Sequence, residues 1–181
     1  MVEEKRSKIE SLMPELIKQY KSSVSEQSVV IHRGIEGVKN YLLQIEREEK
    51  EVFLYGATGV SLSPKVSYVF KHLISSFEEK KIPSNVLYRN NVLLDNPEAI
   101  GHFGKASRNR ILSKKFNEAG SVVIFGDNIC LQDGQYSKKT IEEEGEVILF
   151  MLKSKVIAEM MRNMFKAVWE ISEEIKIDKK K

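Results

Sequence analysis

Hydrophobic positions recur along this chain in two rhythms, and the rhythms alternate. From Glu3 to Lys21 the residues Ile9, Leu12, Met13, Leu16, Ile17 and Tyr20 stand at helical spacing, which predicts an amphipathic helix bent near Pro14. A serine-rich stretch, Ser22 to Gln27, links it to a first strand at Val29–Ile31. Gly34 to Glu49, with Ile35, Val38, Tyr41, Leu42 and Ile45 on one side, predicts a surface helix, and Val52–Tyr55 a strand buried on both faces, stopped by Gly56–Gly59. Ser63 and Pro64 then supply an N-cap and a first-turn proline for a helix reaching about Lys80. Val86–Tyr88 is the next buried strand. A turn or short helix follows at Asn96–Glu98, then a strand at Ser107–Leu112.

Val122–Phe125 and Ile129–Leu131, joined by a Gly-Asp-Asn turn, predict a hairpin. Gly134 to Gly145 is polar and predicts an exposed loop. Glu146–Leu152 is a last strand, and Ser154 caps a long final helix. The apolar stripe of that helix includes Met160, Met164, Val168 and Trp169, and it is wide enough to cover core on one side and another element or subunit on the other. Alternating strands and helices of this kind predict an α/β fold with a mostly parallel central sheet flanked by helices. The organisation reads as an amphipathic linker or dimerisation helix over 1–22, an α/β domain over 28–175 and a charged tail over 176–181.

Composition narrows the functional classes. The chain has 181 residues, of which 41% are hydrophobic, enough for one good core. A net charge of +3, from 29 basic and 26 acidic residues, gives no nucleic-acid footprint by itself. No run approaches the ~20 apolar residues of a membrane span, the first eight residues lack the apolar core of a leader, and a single cysteine, Cys130, excludes an internal disulfide. These features predict a soluble cytoplasmic protein without a membrane partner.

Candidate chemistry is sparse. His32, His72 and His102 are dispersed, so no metal-ligand spacing exists and neither metal nor cofactor is expected. Gly56–Gly59 lacks the spacing of either phosphate-cradling loop, and the acidic pairs lie where solvation is the default. In open α/β sheets, ligands collect outside the carboxyl ends of strands. That rule selects Gly56, Thr58 and Gly59 after the second strand and Arg89, Asn90 and Asn91 after the third. Glycines admit a close approach, hydroxyls and amides suit sugar hydroxyls, and an arginine suits an anion. The plainer alternative is a tight turn beside a solvated arginine. A second cationic stretch, Lys105, Arg108, Arg110, Lys114 and Lys115, adds Arg110 as a candidate contact to an anion or a phosphate backbone, against the plainer reading of a solvated face.

The runs Val30–Val38, Val52–Gly59, Val86–Asn90, Val122–Asp127 and Leu152–Lys155, with Phe165 and Trp169, together resemble the phospholipase-D-like domain of TrmB-type transcriptional regulators over nearly the whole chain. The motif His-x-Lys-x-x-x-x-Asp of that fold falls on Gly120, Val122 and Asp127, so the histidine and lysine are absent while the turn is kept. The resemblance implies a chain that is not an enzyme: a catalytically inactive effector-binding and dimerisation domain for a small, sugar-like metabolite. It implies a homodimer through Leu12, Leu16 and Tyr20 of the first helix and Met160, Met164 and Trp169 of the last. DNA would be reached only through a winged-helix domain that this chain lacks. The first alternative is a stand-alone protein-interaction and dimerisation module without a ligand; a residual phosphodiesterase, or a chain that binds DNA itself, comes after it.

Overall fold

The structure is a computed structural model that describes residues 27–116, 120–132 and 147–175. The helix expected at Glu3–Lys21, with Leu12, Leu16 and Tyr20, lies outside the described residues, as do the loop of Gly134–Gly145 and the tail.

Among the described residues, eight strands form one sheet: β1 (Ser28–Arg33), β2 (Val52–Ala57), β3 (Ser84–Tyr88), β4 (Ser107–Ile111), β5 (Ser121–Phe125), β6 (Asn128–Gln132), β7 (Ile148–Lys153) and β8 (Glu173–Glu174). Their order across the sheet is β1-β7-β6-β5-β2-β3-β4-β8. The α/β sheet flanked by helices is therefore as expected, but its strand directions correct the mostly parallel reading. Only β2, β3 and β4 run parallel to one another, and every other neighbouring pair is antiparallel. The β5–β6 hairpin inserts beside β2 with Val52 opposite Phe125, and β7 turns back along β6.

Helices α1 (Gly34–Glu48) and α2 (Pro64–Lys80) cover one face. The stripe Val38, Tyr41, Leu42 and Ile45 of α1 is buried with Val66, Val69, Phe70, Leu73 and Phe77 of α2 over Val52, Val123, Phe125, Cys130, Leu149 and Met151. Helix α4 (Lys155–Glu170) crosses the other face, over β5, β2 and β6. Its Ala158 and Phe165 meet Phe53, Leu87, Ile124 and Ile129, with Phe165 edge-on to Phe53 at 5.4 Å between ring centroids. Ser154 caps α4, its hydroxyl accepting from the Ile157 amide as the sequence suggests. Ser63 stands at the N-cap of α2 before Pro64, yet its side chain makes no cap bond, and the buried hydroxyl has no partner among the described residues. The strand β2 runs past Gly56 to Ala57, and a short helix absent from the sequence reading, α3 (Val92–Asp95), follows β3.

Candidate functional site

At the carboxyl end of β2 the chain makes the bend Gly56–Gly59, with φ of +81° and +88° at the two glycines. Both conformations are left-handed, where a side chain is strained, and both glycines also sit against other backbone or side chains. A Cβ at Gly56 would lie 2.7 Å from the Gly120 carbonyl oxygen, and one at Gly59 would lie 3.0 Å from the Asn96 Cβ. The close approach these glycines permit is thus to the chain itself. The bend nonetheless borders a cavity of about 50 Å³ on the α1–α2 side, lined by Gly56, Thr58, Gly59, Ser61, Tyr88 and Gln132 together with apolar side chains.

Among the described residues, no charged side chain lines this cavity. Its polar groups are paired with each other or with backbone. Ser121 donates to Gln132 Oε1, and Gln132 Nε2 donates to the Tyr41 hydroxyl at 3.2 Å. The Tyr88 hydroxyl donates to the Ala99 carbonyl at 3.1 Å and accepts from the Gly101 amide at 3.2 Å. Burial raises the Tyr88 hydroxyl well above the usual phenol range. At the rim, Ser61 Oγ stands 3.4 Å from His102 Nδ1, and Asn96 Nδ2 donates to the Thr58 carbonyl at 3.3 Å.

The other candidate residues do not join this cavity. Arg89 follows Tyr88, and strand alternation turns its side chain to the α4 side of the sheet, with Leu87. There Nη2 donates to the Gly120 carbonyl at 2.7 Å, while Nε is buried without a partner among the described residues. Burial lowers the guanidinium pKa, opposed by the nearby Tyr55. Gly120 and Val122, which stand at the histidine and lysine positions of the motif, share that side. Asn90 is half-buried; Asn91 is exposed and donates to Asp95 at 2.8 Å. Arg110 is engaged within the chain: it donates to the Trp169 carbonyl, pairs with Glu174 at 3.1 Å and lies 5.1 Å above the Trp169 ring. The sheet thus separates two groups that the strand-end rule had placed together.

The basic stretch is likewise divided. Arg108 lies 3.7 Å from Glu51, Arg110 meets Glu174, the Lys105 amide donates to Glu78, and Lys115 sits over Phe116. Met160 and Met164 are exposed on α4, while Trp169 is half-buried and stacked on Phe165. Among the described residues, no group of three His, Cys, Asp or Glu side chains could hold a metal ion, and no helix is long and apolar enough to cross a membrane.

Comparison with solved structures decides the architecture. The fold is phospholipase-D-like. The chain matches Nuc from Salmonella typhimurium, a phospholipase D family member, with a TM-score of 0.64 and 12% identity, covering 83% of this chain and 99% of that one. It matches TrmBL2, an archaeal chromatin protein with a novel mode of DNA binding, with a TM-score of 0.50 and 16% identity, over 96% of this chain and 64% of TrmBL2. Phosphatidylserine synthase of Haemophilus influenzae Rd KW20 matches with a TM-score of 0.55 and 10% identity, over 76% of this chain and 36% of that one. No protein-family profile and no curated protein matches the sequence.

These matches overturn one expectation. The resemblance to TrmB-type domains implied a chain that is not an enzyme, but the phospholipase-D-like structures it matches include a phospholipase D family member and a phosphatidylserine synthase. The absence of one motif's histidine and lysine therefore does not by itself exclude an enzyme.

Proposed function

We propose that this chain is a ligand-responsive regulatory domain of the TrmB type, which binds a small uncharged metabolite of sugar-like chemistry at the carboxyl end of β2 and works as a homodimer. The observation that carries the reading is the lining of the β2-end cavity: hydroxyls and an amide from Thr58, Ser61, Tyr88, Ser121 and Gln132 among apolar walls, without a charge. Such a lining suits neutral hydroxyls and penalises a bare anion, which would enter without a counter-charge. The match with TrmBL2, which takes in more of this chain than the match with Nuc, supports the regulatory context.

At about 50 Å³ the cavity holds only a few water molecules, while small-molecule pockets run to ~300 Å³ or more. Ligand entry in this reading therefore opens the Gly56–Gly59 bend and breaks the Ser121–Gln132–Tyr41 chain of hydrogen bonds. That opening is the conformational signal: a ligand with higher affinity for the open state shifts the population towards it. The same small volume is what favours the second reading, a dimerising interaction module without a metabolite, which would use the exposed Met160 and Met164.

The test is a thermal-shift screen of neutral sugars, sugar phosphates and organic acids, with light scattering on the same sample. Stabilisation by a neutral sugar, lost in a Gln132→Leu variant that still folds, supports the sensor, because a ligand of the folded state raises its melting point by mass action. A dimer indifferent to every compound supports the interaction module, and a monomer overturns the dimeric part of both readings.

A further inference from the structure

Helix α1 touches the edge strand β1 at one end and leaves room beside it at the other. At Gly37 the approach is so close that a Cβ there would lie 3.0 Å from the carbonyl carbon and the Cβ of His32. Further along the helix, Gln44 lines a cleft of about 170 Å³ between α1 and the β1–β7–β6 end of the sheet. The cleft is more than three times the size of the β2-end cavity, at about 50 Å³. Val30, 49% exposed, and its cross-strand neighbour Met151 form an apolar floor. Ser28 and His32, ~13 Å apart along β1, border that floor together with Lys153 of β7. None of these three side chains makes a hydrogen bond or ion pair among the described residues. The deeper amide, by contrast, is fully used. Asn128, 2% exposed, donates to Glu48 Oε1 at 3.0 Å and to the Phe125 carbonyl at 3.4 Å, and accepts from Gln44 Nε2 at 3.4 Å. The Glu48 carboxylate so held is not among the described groups that line the cleft.

We propose that this cleft is a second binding site, for a short-chain aliphatic carboxylate. Its open donors suit one oxyanion. The Lys153 ammonium supplies the charge, and the Ser28 hydroxyl, opposite it in the sheet register, supplies a neutral hydrogen bond. A single lysine, with the Glu48 carboxylate behind Asn128, leaves no surplus of positive charge for a dianion, so a carboxylate is favoured over a phosphate. The alkyl body lies along Val30 and Met151 and removes from water an apolar floor that is otherwise open to it. His32 bounds the far end and limits the length of the chain. The cleft and the β2-end cavity share no lining residue among those described, so either can fill without the other.

Butyrate is the probe, titrated into the full chain at constant ionic strength and followed by amide NMR. Saturable shifts should appear along Ser28–His32 and around Lys153. The affinity should fall by about tenfold in Lys153→Met, which keeps the length of the side chain without its charge. Binding should disappear in Val30→Trp, which fills the floor. Both side chains are exposed, so the fold tolerates the changes, and melting temperatures check that it does. Lys71→Met, at an exposed site on α2, should bind as the unaltered chain does. Butanol keeps the body without the charge, and inorganic phosphate keeps the charge without the body; each should bind about tenfold more weakly than butyrate. The proposal is overturned by the absence of a saturable shift, by shifts confined to Gly56–Gly59, or by an affinity that Lys153→Met leaves unchanged. Phosphate binding as tightly as butyrate would overturn it too, even if Val30→Trp failed to fold.

Discussion

The face under α1 and α2, closed except at Val30 on the edge strand, and the half-open face under α4 are built from the same strands yet are held in different ways. On the first, two helices bury Tyr41, Leu42, Phe70 and Phe77 over Phe125, Cys130 and Leu149, and even the polar groups near the β2-end cavity are paired. On the second, a single helix covers the middle strands and leaves Phe150, Ile31 and Val29 partly open. Its far end is secured by Arg110 on Trp169 and Glu174. The difference shows that sheet position, more than hydrophobicity, decides what a strand residue contributes: Phe125 and Phe150 are both strand phenylalanines, one 0% and the other 41% exposed.

Replacing those two residues is the strongest way to test the contrast. Phe125→Ala should lose about 3–5 kcal/mol in urea denaturation, the cost of a large void in a core that cannot collapse around it. Phe150→Ala should lose about 1 kcal/mol or less if its face stays open. A much larger loss would show that the face is covered in solution.

Backbone geometry gives the next contrast. Gly56→Ala forces a Cβ to 2.7 Å from the Gly120 carbonyl oxygen at a φ of +81° and should cost about 2–3 kcal/mol. Gly34→Ala, at +63° with open space around it, pays only the backbone strain of about 1 kcal/mol. Equal losses would mean that the β2–β5 contact is looser than the structure has it.

Alkaline pH probes the α1–α2 face through its buried thiol and phenol. Burial raises the Cys130 thiol from 9.0 to about 12 and raises the Tyr88 hydroxyl as well. The folded chain keeps these protons where the unfolded chain releases them. The stabilisation is therefore complete below pH 9 and is lost as pH rises towards 12. Between pH 8 and 10 the thiol accounts for a fall on the order of 1 kcal/mol. Cys130→Ala should flatten that part of the pH profile of stability; an unchanged slope would assign it elsewhere.

The smallest expected effect lies at the end of the half-open face. Arg110→Lys keeps a charge but loses the planar stack on Trp169 and the two-armed hydrogen bonding, and should cost about 0.5–1 kcal/mol. A loss as large as that of Arg110→Ala would show that the geometry of the guanidinium, and not its charge, secures the end of α4.

The sequence carried the elements well and their arrangement less well. Apolar runs such as Val52–Tyr55 and Val86–Tyr88 announce buried strands, and Ser154 announces its helix, because these signals are local. Strand direction is not local. Nothing in Val122–Phe125 says that it will lie antiparallel against β2, and so the approach of Gly120 to Gly56 and Arg89 could not be read. The strand-end rule placed Gly56, Thr58 and Gly59 on the cavity, yet it could not say on which side of the sheet Arg89 would point. Among the elements that escaped for want of length or apolar content are α3, with four residues, and β8, the pair Glu173–Glu174, which pairs with Arg110 and Ile111.

The order of the strands also sets a schedule for synthesis. β1 is the first described strand to leave the ribosome, but its neighbour among the described strands is β7, about 115 residues later. At ~5–20 residues per second, that interval is roughly 6–25 s. During it the run Val29, Val30 and Ile31 has neither a hydrogen-bonding neighbour nor a finished layer above it. A nascent chain of this kind offers a sticky segment to chaperones before it offers a folded surface to anything else.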